Sequence, residues 1–403
     1  MNSVIYWLWL QRVLGEGAFF KSLLAHFGTP EGVYRAAQAE RKSSGLFSSK
    51  QLERVASVSL DDCTKIIYQC RAHGWQILPF DAPDYPEKLK NIYNPPCVLY
   101  IDGTLPPVDG LCTLAVVGTR KASGYALQVA NLLCSGAASA GAVVISGGAL
   151  GVDSAAHTGA ITAGGKTICV LGCGLGAKYL YANRQLRESV RANGALVTEF
   201  PPYTQAARFT FPMRNRIISG LSDGVVVVEA GQKSGSLITA RFAAEQGRDV
   251  YAVPSSIIDA QYSGTNQLLG DGAMLVTQPN DLISPYLQRY PYLQGHEVPD
   301  FQQMLARSGR RNANSDFSAE SQKETAFENT QKSRSENAVR AERVQALSGD
   351  LQAVYAQLGS DYEHVDVISE RCHLPSGRVL SALSILEIQE LALSASGKRY
   401  KKL

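Results

Sequence analysis

What this chain lacks narrows its reading first. Its eight cysteines, Cys63, Cys70, Cys97, Cys112, Cys134, Cys169, Cys173 and Cys372, include no C-x-x-C pair, so no zinc site is suggested. Scattered thiols without a signal peptide read as a reduced cytoplasmic protein. No apolar run reaches the ~18 residues that a membrane span needs. The early "VIYWLWL" is too short and lacks a basic start, so it is expected to pack inside a helical domain. Neither sign of charge dominates: 39 Lys and Arg face 36 Asp and Glu, a formal +3. A nucleic-acid binder can still gather its cations in one groove while the remaining surface stays neutral. No repeat of solenoid length is visible.

The 403 residues, 45% hydrophobic and with 36 glycines, suit two or three domains with many tight turns. Residues 1–75 carry helical periodicity. A Gly15-Glu16-Gly17 turn between two helices leaves open either a DNA-contacting helix-hairpin-helix or a plain helical packing module. Across residues 76–288, nine short apolar runs alternate with amphipathic segments: "WQILPF", "CVLYIDG", "TLAVVG", "AVVISGG", "TICVLGCG", "ALVTEF", "GVVVVEA", "DVYAVPS" and "AMLVT". Such Val- and Ile-rich runs are expected as strands buried on both faces of a parallel sheet. The fold class is therefore α/β, a doubly wound Rossmann-like sheet with ligands at the carboxyl ends of its strands. Residues 289–343 are polar and poor in aliphatics, as a disordered linker would be. Residues 344–403 regain periodicity in an order that suits a small winged helix.

The chemistry gathers at the strand ends. Thr119-Arg120-Lys121, the 147–157 stretch "GGALGVDSAAH", the 173–179 stretch "CGLGAKY", "FTFPMRNRIISG" at 209–220 and "QKSGSLITA" at 232–240 each follow a strand. Glycines bare backbone amides, hydroxyls add short donors, and arginine supplies a planar fork whose charge never titrates away. Five such ends, with helix N-termini behind them, predict an anion-binding rim. Phe209 and Phe211 could stack bases beside Arg214 and Arg216, at least one of which is expected to touch phosphate; two positions apart, the arginines cannot share one helix face unless they straddle a turn, and the alternative leaves the rings in the core and one arginine as an ion-pair partner.

Rival chemistries find less support. No G-x-G-x-x-G follows the first parallel strand, no acid stands where a ribose would need one, and "GQKSGS" has neither the spacing nor the order of a Walker loop. Asp153 and His157 stand one helical turn apart without a third partner. Asp153 reads as a cap or first-turn acid and His157 as a packed or solvent-facing residue. Glu199 and Glu229 end strands, where they could reach the crevice as acids but are rather expected to orient the arginines. Cys169 and Cys173 read as small core residues. No catalytic residue, cofactor or metal is expected.

Taken together, "YPEKLKNIYNPPCVLYIDG", "VVGTRKASGYA", "VISGGALGVDSAAHTGAI", "VLGCGLG", "TEFPP", "FPMRNRIISGLSDGVVVVEAGQKSGSLITARFAAEQGRDVYAVP" and "GTNQLLGDGA" resemble the DNA-processing protein A (DprA/Smf) family. The resemblance implies an extended Rossmann-like domain, an N-terminal sterile-alpha-motif-like or helix-hairpin-helix domain, and a winged helix. It implies single-stranded DNA as ligand, a homodimer, protection of incoming strands during natural transformation, and help in loading RecA recombinase. The family's G-[ST]-R motif falls on Gly118, Thr119 and Arg120, its glycine loop on Gly147 and Gly148, its F-P-x-R-N-R segment on Phe211 to Arg216, and its S-G-[ST]-L-x-T-A segment on Ser234 to Ala240. The chain differs at Tyr179-Leu180, where the family often has Tyr-Pro, and at Pro254-Ser255, where it often has Pro-Gly.

The candidate nucleic-acid contacts are Gly118, Thr119, Arg120, Lys121, Ser146, Gly147, Gly148, Lys178, Phe211, Arg214, Asn215, Arg216, Lys233, Ser234, Gly235, Ser236 and Thr239. The alternative is a nucleotide-binding or nucleoside-monophosphate-hydrolysing enzyme of the related Rossmann-like families. That chemistry wants a P-G-G-x-G-T-x-x-E motif, whereas here Thr239 precedes Ala240 and the next glutamate is Glu245. In the tail, "SGRVLSALSILEIQE" has one cation and two glutamates, so a protein contact is favoured there over duplex binding.

Overall fold

The computed structural model describes residues 2–178, 183–259, 262–296, 299–306, 347, 349–359, 361–388, 391–395 and 399–402. Residues to 307 form one compact unit and residues from 308 another.

The first helix, Asn2–Leu14, buries Trp7, Leu8, Trp9 and Leu10 in succession. Four consecutive residues cannot share one face of a 3.6-residue helix, so this helix is wrapped on all sides. Helices Pro30–Arg35, Ser49–Ser57 and Leu60–His73 cover it. Its remaining face meets the sheet edge, where the Tyr100 hydroxyl donates to Gln11 Oε1 at 2.9 Å. Leu60–His73 ends at Gly74, whose left-handed φ of 69° turns the chain into the sheet.

Nine strands follow: β1 Gln76–Pro79, β2 Val98–Gly103, β3 Thr113–Val117, β4 Val143–Ser146, β5 Thr167–Val170, β6 Gly194–Thr198, β7 Gly224–Val227, β8 Asp249–Ala252 and β9 Met274–Leu275. Their spatial order is β1-β2-β6-β5-β4-β3-β7-β8-β9. All nine runs named from the sequence are strands. β1 and β2 depart from the parallel expectation, because β1 pairs antiparallel with β2 and β2 antiparallel with β6. In β3 the pleat sends Leu114 and Val116 to one hydrophobic layer and Ala115 and Val117 to the other. Helices Gly124–Ser139 and Val152–Thr162 cover the first layer; Thr210–Gly220 and Gly235–Glu245 cover the second.

From β3 the chain builds β4, β5 and β6 to one side, then returns to lay β7 on the other. The order therefore reverses between β3 and β7, which is where an open α/β sheet binds its ligand.

The boundary expected at residue 289 lies later. Tyr286, Tyr290 and Leu293 are buried in the core. Tyr290 donates to Asp223 Oδ1 at 3.0 Å, and Tyr292 Oη accepts from the Cys112 amide at 2.8 Å. The segment is poor in aliphatics, but tyrosines anchor it by rings and hydroxyls together. The rest of the expected linker, residues 307–343, lies outside the described residues.

In the second unit, helices Asp350–Gln357, Val365–Cys372 and Ser376–Ile388 pack around Val354, Ile368, Val379 and Leu383. A three-stranded sheet completes it: β10 Glu363–His364, β11 Ala392–Ala395 and β12 Arg399–Lys402 in the order β10-β12-β11. This is the winged-helix order read from the sequence.

Candidate nucleic-acid interface

The turn after β3 is built by its own small residues. A Cβ on Gly118 would strike Val152, so the turn lies directly on the helix that follows β4. The Thr119 amide donates to the Glu229 carbonyl at 2.8 Å, and the Val152 amide to the Thr119 carbonyl at 3.3 Å. Ser123 caps helix Gly124–Ser139, its Oγ accepting from the Ala126 amide at 3.1 Å. Glu229, expected to orient an arginine, holds this turn instead. It accepts from the Ser123 amide at 2.9 Å and from the Ser123 hydroxyl at 2.7 Å. The turn's free product is Arg120, exposed, with its guanidinium 4.8 Å from the centre of the Phe211 ring. That contact holds the fork by a cation–π interaction and leaves its edges open to oxygen ligands.

Below it lies Arg214. Any Cβ on Gly147 would collide with the Arg214 guanidinium, which donates to the Val170 carbonyl. Gly147 and Gly148 do not line the crevice but make room beneath it, Gly147 for the Arg214 guanidinium and Gly148 for Cys169, and Ser146 is structural: its hydroxyl donates to the Val116 carbonyl at 2.6 Å. Gly148 has φ +66° and Gly151 φ +81°; a Cβ on Gly151 would come within 2.7 Å of the Arg120 carbonyl oxygen. Only glycine lets these two loops close on each other.

Asp153 lines the same crevice and accepts from the Ala149 amide at 3.2 Å. Burial pushes its pKa up, opposed by the nearby Arg214 charge. Behind it His157 is fully buried. Because the Thr167 hydroxyl donates to the Val144 carbonyl at 2.8 Å, the contact at 2.8 Å from His157 Nδ1 is the ring donating to Thr167 Oγ1. Burial, then Arg214, lowers the His157 pKa to about 3, so the ring stays neutral. It belongs to the core.

Arg216 does not join the crevice. Two positions apart on a helix is about 200° of rotation, so Arg214 and Arg216 leave helix Thr210–Gly220 on opposite sides. Arg216 makes a bidentate pair with Glu199 at 2.6 and 2.9 Å, buried on both sides. Glu199 Oε2 also accepts from the Gly17 amide at 3.2 Å, and the Glu199 carbonyl accepts from Gln11 Nε2 at 2.6 Å. Glu199 therefore does orient an arginine, and the pair clasps the N-terminal helices to the sheet. The Gly15-Glu16-Gly17 turn is part of that clasp, with the Gly17 amide directed inward.

The far wall comes from β7. Ser234 caps helix Gly235–Glu245, and its hydroxyl lies 2.8 Å from that of Ser236. Asn215 donates to the Gly235 carbonyl at 3.2 Å, joining this wall to the Phe211 helix. The resulting cavity is about 440 Å³. Of the residues nominated from sequence, it brings together Gly118, Thr119, Arg120, Phe211, Arg214, Asn215, Ser234, Gly235, Ser236 and Thr239. Lys121, Lys178 and Lys233 are exposed but do not line it.

The turn after β5 is also absent from the lining. A Cβ on Gly174 or Gly176 would collide with the Pro201–Tyr203 stretch, so those glycines serve packing. The sequence reading omits Arg208, Ala149, Pro212 and Ile218, all on the lining, and gives Asp153 no place there. Arg208 carried a usable signal, since it immediately precedes the Phe209 and Phe211 pair.

A family model for DNA recombination-mediator protein A matches residues 76–286, which is the whole nine-stranded sheet and its crevice. The chain belongs to that family. A DprA winged helix domain model matches residues 338–398. DNA processing protein DprA of Bacillus subtilis (strain 168) is 39% identical over 225 residues, 56% of this chain and 76% of that one. Protein Smf of Synechocystis is 34% identical over 284 residues, 69% of this chain and 71% of that one. The X-ray structure of DNA processing protein A from Streptococcus pneumoniae aligns with a TM-score of 0.61 at 32% identity, over 70% of this chain and 98% of that one. At the departure Pro254-Ser255, serine needs no glycine backbone: among the described non-glycine residues only His373 has a positive φ. Tyr179-Leu180 lies outside the described residues.

Proposed function

We propose that this protein binds single-stranded DNA without reading its sequence and acts as a non-catalytic recombination mediator. On this reading it protects incoming strands, helps load RecA during natural transformation, and works as a homodimer. Membership of the recombination-mediator family supports the role. The observation that carries the ligand is the crevice at β3 and β7. There Arg120 and Arg208 are exposed, Arg214 floors the site, and Phe211 offers an aromatic face under Arg120. Cations that track phosphates beside rings that stack on any base are the physical requirements of a sequence-tolerant single-strand site. We assign the helical domain to residues 1–75, the sheet domain from residue 76 to about the end of the tyrosine-anchored segment, and the winged helix to residues 344–403.

The hydrolase alternative loses its acid. Glu245 stands at the far end of helix Gly235–Glu245 and accepts from Arg241 Nε at 2.8 Å, off the crevice lining. Glu199 and Glu229 are both held in internal contacts. The winged helix is read as a protein-contact unit, because the cation of its third helix, Arg378, is paired with Asp350. The deciding experiment compares oligo-dT with a duplex of equal length at two salt concentrations. Tighter single-strand binding with a steep salt dependence is expected. A preference for duplex, or release of free base from nucleoside monophosphates, would overturn the proposal.

A further inference from the structure

We infer that the loop Pro254–Asp259, together with Tyr125, forms a second step of the DNA track, taking the bases of the strand as it leaves the crevice. The inference rests on the single-strand reading above and extends it to residues outside the crevice. Ile257 and Ile258 are each 93% exposed. Two adjacent isoleucines turned almost wholly to water gain nothing for folding, and an exposed apolar patch is the informative exception on a protein surface.

The start of the loop is held at Ser255. The Ser255 amide donates to Asn266 Oδ1 at 3.0 Å, Asn266 Nδ2 returns a bond to the Ser255 carbonyl at 2.9 Å, and the Ser255 hydroxyl donates to the Tyr262 carbonyl at 2.8 Å. Two tyrosines then fix it against the crevice rim. The Tyr125 hydroxyl donates to the Pro254 carbonyl at 3.3 Å, and the Tyr262 hydroxyl to the Lys121 carbonyl at 3.4 Å.

Position and charge select the occupant. Lys121 is exposed beside Arg120, makes no ion pair among the described residues, and lies outside the cavity lining. It is placed to take a phosphate just beyond the crevice. Tyr125, 53% exposed in the first turn of its helix and bonded to the Pro254 carbonyl, sets a ring at the start of the loop, as Phe211 sets one in the crevice. Aliphatic side chains such as the isoleucine pair insert between or against unstacked bases, as apolar wedges do in other DNA-binding surfaces. The cavity is too small to enclose a long strand, so a strand that fills it must emerge somewhere along this rim.

The test measures fluorescence anisotropy with oligo-dT of about 4 and about 15 nucleotides, which bracket common single-strand site sizes. The double variant Ile257→Ser with Ile258→Ser should bind the long oligomer about tenfold more weakly and the short one within about twofold of the parent. Tyr125→Ser should repeat the loss on the long oligomer, and Tyr125→Phe should keep most of the parent affinity, because the ring stays and the Ser255 bonds still hold the start of the loop. Unchanged long-oligomer binding by the isoleucine variant would overturn the inference. So would an equal loss at both lengths, which would make the loop a support of the crevice. A changed sedimentation coefficient with DNA binding intact would also overturn it, assigning the isoleucines to a protein contact. A parent protein that binds neither oligomer would instead sink the single-strand reading itself.

Discussion

Arg120 in the crevice and Arg378 on the winged helix are both exposed arginines near the start of a helix. Arg378 donates twice to Asp350, at 2.7 Å each. Arg371 is held in the same way by Glu363. Around Arg120, Glu229 turns inward to Ser123, and Asp153 on the crevice lining accepts from the Ala149 amide. Arg120 itself rests on an aromatic ring, which keeps its charge. The two regions teach that cation content is a weak guide to anion binding, and that the direction of neighbouring acids decides whether a cation is available.

The largest way to break this contrast is to deform the crevice floor. Gly147→Ala forces a methyl group into the Arg214 guanidinium, which also bonds the Val170 carbonyl. Overpacking of that kind costs about 1–3 kcal/mol. Here it displaces the buried cation, so oligo-dT affinity should fall by about 100-fold. Parent-like binding by a folded variant would remove Arg214 from the site. Next in size, Arg120→Ala should weaken oligo-dT binding about tenfold at low salt and make the log–log salt slope shallower by ~0.7, one phosphate's worth for a single strand. The loss should be uniform across base sequences, which titration with homopolymers checks.

Much of this was legible in the chain. Nine apolar runs became nine strands, because Val- and Ile-rich segments bounded by glycine have few alternatives to a buried sheet. The β3 and β7 ends were legible as well, because glycine and hydroxyl residues at a strand end have a direct backbone meaning. Side-chain direction was not. Nothing local tells that Arg216 turns toward Glu199 while Arg214 turns toward Gly147, since that depends on which elements lie on each side of one helix. Asp153 read as a cap or first-turn acid; Gly151 holds the cap and Asp153 the first turn, and its place on the crevice required knowing that the β3 turn lies across its helix. The β5 turn looked like the others in composition and differs only in packing against Pro201–Tyr203. The tyrosine anchors beyond residue 289 were hidden because their partners, Asp223 and Cys112, are far away in sequence.

A smaller effect comes from Asp153, the one acid on the crevice lining among the described residues. Burial raises the Asp153 pKa above its ordinary value of 3.8. In the folded protein the carboxyl therefore takes up its proton at a higher pH than in the unfolded chain. Below the unfolded value both forms are neutral and its burial carries no penalty; the penalty grows as pH rises through the folded value. Protonation also removes a negative charge beside Arg214. Oligo-dT affinity should accordingly rise a few-fold, roughly, as pH falls from neutrality through that raised value, and Asp153→Asn should bind at neutral pH as the parent does in acid. A pH titration of affinity in which the two proteins run parallel would refute the link.

The smallest expected effect tests the other side of the comparison. Arg378→Ala should leave duplex and single-strand binding unchanged, because the guanidinium is already matched by Asp350. Asp350→Asn removes the matching charge and leaves an exposed arginine on the third helix, the situation of Arg120. If available charge is what separates the two regions, this variant should gain weak duplex binding with a salt slope steeper by ~0.9, the increment for one added phosphate contact on B-form DNA. No gain would mean that the third helix is unsuited to DNA by shape as well as by charge, since one cation on a helix that also carries Glu387 and exposes Ile385 does not make a phosphate track.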